Sequence, residues 1–183
     1  MGGPHERALV VMGKLPRPGR VKTRLGLAPE VAAELYRAFL LDVFDVAAAA
    51  LAHRPGRRVF ACALEPGAGA GNDPLEEARA LAPAGWSVVP QVGEDLGARM
   101  RHAWRAGQAK KTLVIGSDLP SLPARRIVDA FDALGPGRVV FVPALDGGYV
   151  LVGLTEDTPL LFEGIAWSTP TVLEASRRAA ARA

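Results

Sequence analysis

The chain has 183 residues, 49% of them hydrophobic and 22% charged, the composition of a globular protein long enough to remove roughly 70% of its unfolded surface from water. A formal net charge of +3 is too small to make nucleic acid the first partner to consider. A single cysteine excludes an internal disulfide, and no apolar run reaches the roughly 20 residues of a membrane span, so a cytoplasmic protein is expected.

Apolar β-branched runs alternate with longer helical patterns. Ala8 to Gly13 reads as a buried strand ending at a glycine. Pro29-Glu30 opens a long helix, with proline in the first turn and Val31, Leu35, Phe39 and Phe44 near helical spacing. That helix is expected to fade into the alanines after Val46 and to stop by Pro55-Gly56. Arg58 to Leu64 is a second strand, with Cys62 as a small core side chain. Glu65 to Asp73, rich in Gly and Ala, reads as the most mobile loop, and Asp73-Pro74 starts a helix running to about Leu81. Trp86 to Val89 is a short strand, Glu94-Asp95 introduces a helix from Leu96 to Ala106, and Thr112 to Gly116 is the clearest strand. A helix over Pro123 to Leu134 and strands over Arg138 to Val142 and Tyr149 to Leu154 follow, and the tail from Thr169 onward is helical.

This alternation predicts one α/β domain over residues 1–183, built from βαβ units around a mostly parallel sheet covered on both faces. The link Pro143 to Gly148 is too short for a crossover helix. Tyr149 to Leu154 therefore either turns back antiparallel or leaves the main sheet.

In open α/β sheets ligands sit beyond the carboxyl ends of the strands. Lys14 to Arg24 follows the first strand. Two prolines stiffen it, Gly19 lets the backbone approach a ligand, and Arg17, Arg20, Lys22 and Arg24 line it with no intervening acid. Those are the parts of a phosphate cradle. The spacing is neither that of a Walker A loop nor that of a dinucleotide fingerprint. A solvated basic loop would look similar, and the position between a buried strand and a long helix favours ligand binding.

Asp118 follows the strand Thr112 to Gly116. A carboxylate there faces the crevice and can hold a divalent cation against phosphate oxygens, while capping by Asp118 or Ser117 is the competing reading. Asp146-Gly147-Gly148-Tyr149 follows another strand on the same expected sheet edge; a plain turn is the alternative. Gln91 to Met100 leads into a helix N-terminus that can present N–H groups to an anion or a base edge, or is simply capped by Asp95. Ser168 or Thr169 is a natural cap for the last helix, and Trp167 can wall an acceptor pocket. His5, His53 and His102 have no ligand spacing, and no nucleophile has an adjacent base.

Five segments, K-x-P-x-x-G-x-V-K-T-R-L (Lys14 to Leu25), G-x-x-L-G-x-R-M (Gly93 to Met100), G-S-D-x-P-x-L (Gly116 to Leu122), D-G-G-Y-x-L-x-G-L (Asp146 to Leu154) and G-I-x-W-S-T-x-x-V-L (Gly164 to Leu173), together resemble the bacterial radical-SAM/selenodomain-associated transferase family. That family looks related to the GT-A-type nucleotidyl- and glycosyltransferases. The resemblance implies a three-layer αβα, Rossmann-like nucleotide-diphospho-sugar transferase fold with a mixed, mostly parallel sheet. It implies transfer from a nucleoside triphosphate or nucleotide sugar to a small-molecule acceptor, assisted by Mg2+ or Mn2+. Asp118 would be the metal ligand and, with Lys22 and Arg24, the catalytic set. Lys14, Gly19, Arg20, Thr23, Gly97 and Arg99 would join Lys22 and Arg24 on the nucleotide, and Asp146, Gly147, Gly148, Tyr149 and Trp167 would form the acceptor pocket. Family members continue past the last helix into an acidic Asp-x-Asp-type segment, the expected source of a second metal ligand, whereas the sequence given stops at Ala183. A nucleotide-binding protein of the same fold without turnover is the alternative. Nucleic-acid binding ranks last, and a homodimer is left open.

Overall fold

A computed structural model describes residues 5–64 and 73–183, so all but the last residue of the expected loop Glu65 to Asp73 lies outside the described residues. Alternation along the first strand, β1 (His5–Lys14), sends Leu9 and Val11 to one face and Val10 and Met12 to the other. Both sets are buried, as a central parallel strand requires. The following strands are β2 (Arg57–Ala63), β3 (Ser87–Pro90), β4 (Ala109–Gly116), β5 (Val140–Pro143) and β6 (Tyr149–Leu154). They form one sheet in the order β3-β2-β1-β4-β6-β5. β1 to β4 pair parallel, while β6 is antiparallel to both β4 and β5.

Helices cover both faces. α1 (Pro29–Ala50), α2 (Pro74–Leu81) and α4 (Ala124–Ala133) bury Leu40, Val43 and Phe44, then Ala78, then Ile127 and Phe131, against Leu9, Val11, Phe60, Leu113 and Ile115. On the other face α3 (Leu96–Ala106) contributes Met100, Ala103 and Trp104, and the 3-10 turn Pro159–Leu161 and Phe162 add to the same cluster. Ala179 and Ala180 of α5 (Val172–Ala180) pack against it. The predicted three-layer αβα architecture with a mixed, mostly parallel sheet is therefore present.

Several boundaries differ from the sequence reading: β1 and β4 each begin three residues earlier, at His5 and Ala109. α1 runs into the alanines and stops at Ala50, before Pro55-Gly56, as the sequence reading has it; alanine is the strongest helix former, and Ala47 and Ala50 are buried. α5 begins at Val172 rather than Thr169, with Thr171 at its N-cap. β5 is shorter than expected because Arg138 lies in a turn, with its N–H on the Gly135 carbonyl at 3.0 Å.

β6 turns back and inserts between β4 and β5. Ile115 of β4 pairs with Leu151 of β6, so the β5–β6 turn lies at the carboxyl end of β4. β1 and β4 are neighbours at the centre. The chain leaves β1 towards β2 and β3 on one side, while β4 leads to β5 and β6 on the other. That seam is the topological switch point, the place at which open α/β sheets bind ligands. Among the described residues no helix is long and apolar enough to cross a membrane.

The α1 face is keyed by Phe44, whose ring meets Phe60 edge-on at 5.2 Å and Trp86 at 4.6 Å between centroids. Phe44→Ala should cost about 3–5 kcal/mol, lowering the urea midpoint with little change in slope.

Candidate functional site

The seam between β1 and β4 is held by a buried hydroxyl. Tyr36 of α1 is 3% exposed, and its Oη accepts from the Lys14 backbone N–H at 2.9 Å and hydrogen-bonds Ser117 Oγ at 2.7 Å. One side chain thus ties the start of the basic loop to the segment carrying Asp118. Gln91, just past β3, does the same on the other flank: its Nε2 donates to the carbonyls of Gly13 at 3.0 Å and Ala61 at 2.9 Å. The carboxyl ends of β1, β2, β3 and β4 are so fixed relative to one another.

The basic loop arches over this edge. Lys22 takes a left-handed conformation, φ 50° and ψ 29°, at the entry to the 3-10 turn Thr23–Leu25. Its Nζ lies 2.9 Å from Asp118 Oδ1 and 4.9 Å from the centre of the Phe39 ring. The Lys22 side chain is 18% exposed and that of Asp118 74%, so a half-sheltered ammonium faces an open carboxylate. Asp118 therefore pairs with a loop cation and caps nothing. α4 starts after Pro123 with no side-chain cap, which corrects the capping alternative for Asp118 and Ser117.

The other sequence candidates divide by what they touch. Lys14 and Arg20 line a shallow recess with Leu15, Arg17 and Ala63. Arg17 is held by Glu77 of α2, Nη2 to Oε2 at 2.7 Å, so part of the expected cradle anchors the loop to a helix. Gly19, with φ 71°, Thr23 and Arg24 are exposed on the loop. Gly97 and Arg99 lie at the start of α3, where Asp95 caps the helix by accepting from Ala98 N–H at 2.7 Å. Arg99 Nε donates to the Gly93 carbonyl at 3.0 Å. A Cβ on Gly97 would fall 2.0 Å from the Phe162 carbonyl oxygen and 2.8 Å from the Trp167 indole, so this glycine lets α3 approach the loop before α5.

On the far side of the seam, Asp146 Oδ1 accepts from Gly148 N–H at 3.0 Å, which closes the turn. Gly147 needs to be glycine twice over. Its φ is 85°, and a Cβ would lie 1.9 Å from the Pro170 carbonyl oxygen. The Gly147 carbonyl accepts from Leu173 N–H at 2.9 Å, so the turn is locked to the start of α5. The Tyr149 ring packs on Phe141 at 5.0 Å. Trp167 lies against Gly97 and packs on the second core cluster. The expected cap at Ser168 or Thr169 is absent: Thr169 Oγ1 bonds the Ala166 carbonyl at 2.7 Å and the Thr171 hydroxyl at 3.0 Å, and Thr171 occupies the N-cap with no side-chain bond to the helix N–H groups.

A single open carboxylate fits a cation that arrives already coordinated by phosphate oxygens, since Mg2+ takes one or two carboxylates together with substrate phosphates. Among the described residues no group of three or more His, Cys, Asp or Glu is placed to hold a metal by itself. Nucleophilic catalysis by the cysteine has no support, because Cys62 is buried and desolvation pushes its thiol up to about 12.

Removing the Tyr36 hydroxyl leaves the Lys14 N–H and the Ser117 hydroxyl without this partner. Tyr36→Phe should cost about 1–3 kcal/mol by chemical denaturation. Burial, opposed by weaker hydrogen bonding, also raises Tyr36 and Tyr149 to about 12, and these are the two tyrosines of the sequence. A folded pKa above the unfolded value of about 10 gives stability that is complete below pH 10 and is lost as pH rises through 12. At pH 11 the folded protein should therefore show almost no tyrosinate absorbance at 295 nm, and urea unfolding at that pH should release the signal of both rings.

A search of the curated proteins finds no match. Among solved structures, a protein of Desulfovibrio desulfuricans G20 described as a "putative nucleotide-diphospho-sugar transferase" is 31% identical, with a TM-score of 0.79 over 94% of this chain and 76% of that one. A cytidylyltransferase from Leptospira borgpetersenii serovar Hardjo-bovis (strain JB197) is 15% identical, with a TM-score of 0.55 over 94% of this chain and 73% of that one. CMP:2-keto-3-deoxy-manno-octonic acid synthetase, complexed with CTP, is 11% identical, with a TM-score of 0.51 over 97% of this chain and 85% of that one. At such identities the last two show a shared fold alone. The family model described as "Uncharacterized protein conserved in bacteria (DUF2064)" matches residues 46–169. The chain belongs to this DUF2064 family and has a nucleotide-diphospho-sugar transferase-like fold.

Proposed function

We propose that this protein is a nucleotide-dependent transferase, moving a glycosyl or nucleotidyl group from a nucleotide sugar or nucleoside triphosphate to a small-molecule acceptor. The observation that carries the reading is the meeting of Lys22 and Asp118, 2.9 Å apart at the switch point between β1 and β4. A phosphate-seeking cation and a metal-seeking carboxylate converge where this sheet topology opens a ligand crevice. The likeness to the radical-SAM/selenodomain-associated transferases, carried by the five ordered motifs, belongs to the same reading.

In this reading the basic loop takes the phosphates. Lys22 contributes a point charge and Arg24 a planar fork of donors, with Lys14, Arg20, Thr23 and the Gly19 backbone along the same loop. Asp118 holds Mg2+ or Mn2+, which would polarise phosphate oxygens and balance their charge. Gly97 and Arg99 support the nucleotide indirectly by shaping the α3 entrance. The turn Asp146 to Tyr149 and Trp167 border the acceptor side, on the same sheet edge. Catalysis is then positioning and electrostatic stabilisation, with direct displacement at the donor and no covalent enzyme intermediate. The inert Cys62 thiol supports that choice.

The reading without turnover is favoured by the single carboxylate at the crevice pair. Mass spectrometry separates the two, since a binding protein yields no transferred product from any donor.

Calorimetry with a panel of nucleoside triphosphates and nucleotide sugars, with and without Mg2+, should reveal at least one metal-dependent ligand. Asp118→Asn should abolish the metal-dependent gain, and Lys22→Ala should weaken binding about tenfold, the loss of a charge-assisted hydrogen bond of roughly 1.5 kcal/mol. Metal-independent binding by every ligand, unchanged in Asp118→Asn, would overturn the assignment.

A further inference from the structure

The Lys22–Asp118 pair joins the two groups that the proposed function assigns to different parts of a ligand. Each is the other's counter-ion. A cation approaching Asp118 alone meets an ammonium 2.9 Å away, and a polyphosphate approaching Lys22 alone meets a carboxylate at the same distance. A cation and a polyphosphate arriving together meet neither obstacle, because the phosphate replaces Asp118 beside Lys22 and the cation replaces Lys22 beside Asp118.

Three further features make this exchange local. Lys22 is held independently of Asp118. Its backbone is fixed in the left-handed conformation at the 3-10 entry, and its Nζ lies over the Phe39 ring at 4.9 Å. The ammonium thus keeps a seat in the crevice when the carboxylate is withdrawn. Asp118, by contrast, is 74% exposed, so the ion pair is weak and cheap to break. Tyr36 fixes the backbone on both sides through Lys14 and Ser117, so the swap changes partners and leaves the frame in place.

We propose that the Lys22–Asp118 ion pair is an exchangeable plug that makes the crevice select a preformed cation–polyphosphate complex over either component, with Phe39 as the positioning residue that seats the Lys22 ammonium. The inference rests on the metal–nucleotide reading of the site and specifies its ligand as one carrying adjacent phosphates already coordinated to a divalent cation. Coupling of this kind is reciprocal: whatever factor the cation adds to polyphosphate affinity, the polyphosphate adds to cation affinity.

The test uses the full chain with inorganic tripolyphosphate, which carries the phosphates without a base, and Mn2+ as a spectroscopic cation. Mn2+ binding without phosphate is followed by the loss of the free-ion electron paramagnetic resonance signal. Tripolyphosphate binding is followed by calorimetry with and without Mg2+. In the wild type, Mn2+ alone should bind weakly, and Mg2+ should tighten tripolyphosphate binding at least fivefold. Lys22→Met keeps a long unbranched side chain and removes the charge. It should bind Mn2+ alone severalfold more tightly than the wild type, while binding tripolyphosphate more weakly and losing most of the Mg2+ gain. Phe39→Leu keeps both charges and should reduce the Mg2+ gain while leaving the affinity for Mn2+ alone within twofold. A purely structural role for Lys22 predicts no tightening of Mn2+ binding. If Mn2+ binding in Lys22→Met is unchanged or weaker while the wild type still binds Mg2+–tripolyphosphate through Asp118, as Asp118→Asn would reveal, the plug is overturned and the site reading stands. If the wild type binds neither Mn2+ nor Mg2+–tripolyphosphate, both fall together.

Discussion

Tyr36 sends its hydroxyl from α1 into the seam between β1 and β4, where it accepts from the Lys14 N–H and shares a hydrogen bond with Ser117. The strand ladder joins β1 to β4, but the chain runs away from the seam in both directions beyond it. A buried polar group is costly unless its bonds are made, and here the Tyr36 bonds are made to the two segments that must stay in register. The basic loop and the Asp118 segment consequently share one frame. That frame allows a lysine from residue 22 and an aspartate from residue 118 to meet at hydrogen-bonding distance.

The same economy of backbone placement recurs around the edge. Gln91 fastens the ends of β1 and β2 from the β3 side, Arg17 and Glu77 fasten the loop to α2, and Gly97 and Gly147 let neighbouring carbonyls come close. The glycines work by absence. Phe162 and Pro170 occupy the volume where a methyl would project, so α3 and the Asp146 turn dock against the loop and helix that follow. The carboxyl-terminal edge is therefore a set of loops pinned to one another.

Much of this was legible in the sequence because it depends on local pattern. The run Thr112 to Gly116 could be little other than a buried strand, and the six-residue link before Tyr149 left no room for a crossover helix. Lys22 and Asp118 were recognisable as candidates because four cations in a proline-stiffened loop and a carboxylate at a strand end are chemically conspicuous. What stayed hidden depends on long-range partners. Tyr36 falls in the buried stripe with Ala33 and Leu40, and nothing local reveals that its hydroxyl meets a serine 81 positions away. Glu77 is one of two adjacent glutamates in a short helix until Arg17, 60 residues earlier, reaches it. Gly97 shows the converse: a glycine that admits a phosphate and one that admits a neighbouring carbonyl look alike in sequence. Arg99 followed the same course, an exposed cation spent on the carbonyl of Gly93.

The tryptophans are also distributed one to a place. Of the three tryptophans in the sequence, Trp86 packs on Phe44 on the α1 side of the sheet and Trp104 of α3 is buried on the opposite side. Trp167 lies against Gly97 at the sheet edge. Intrinsic fluorescence of this protein is consequently a sum of three spatially separate probes, one for each helical layer and one for the rim. Chains retaining a single indole would let the loosening of either layer be watched apart from the other and from movement at the rim.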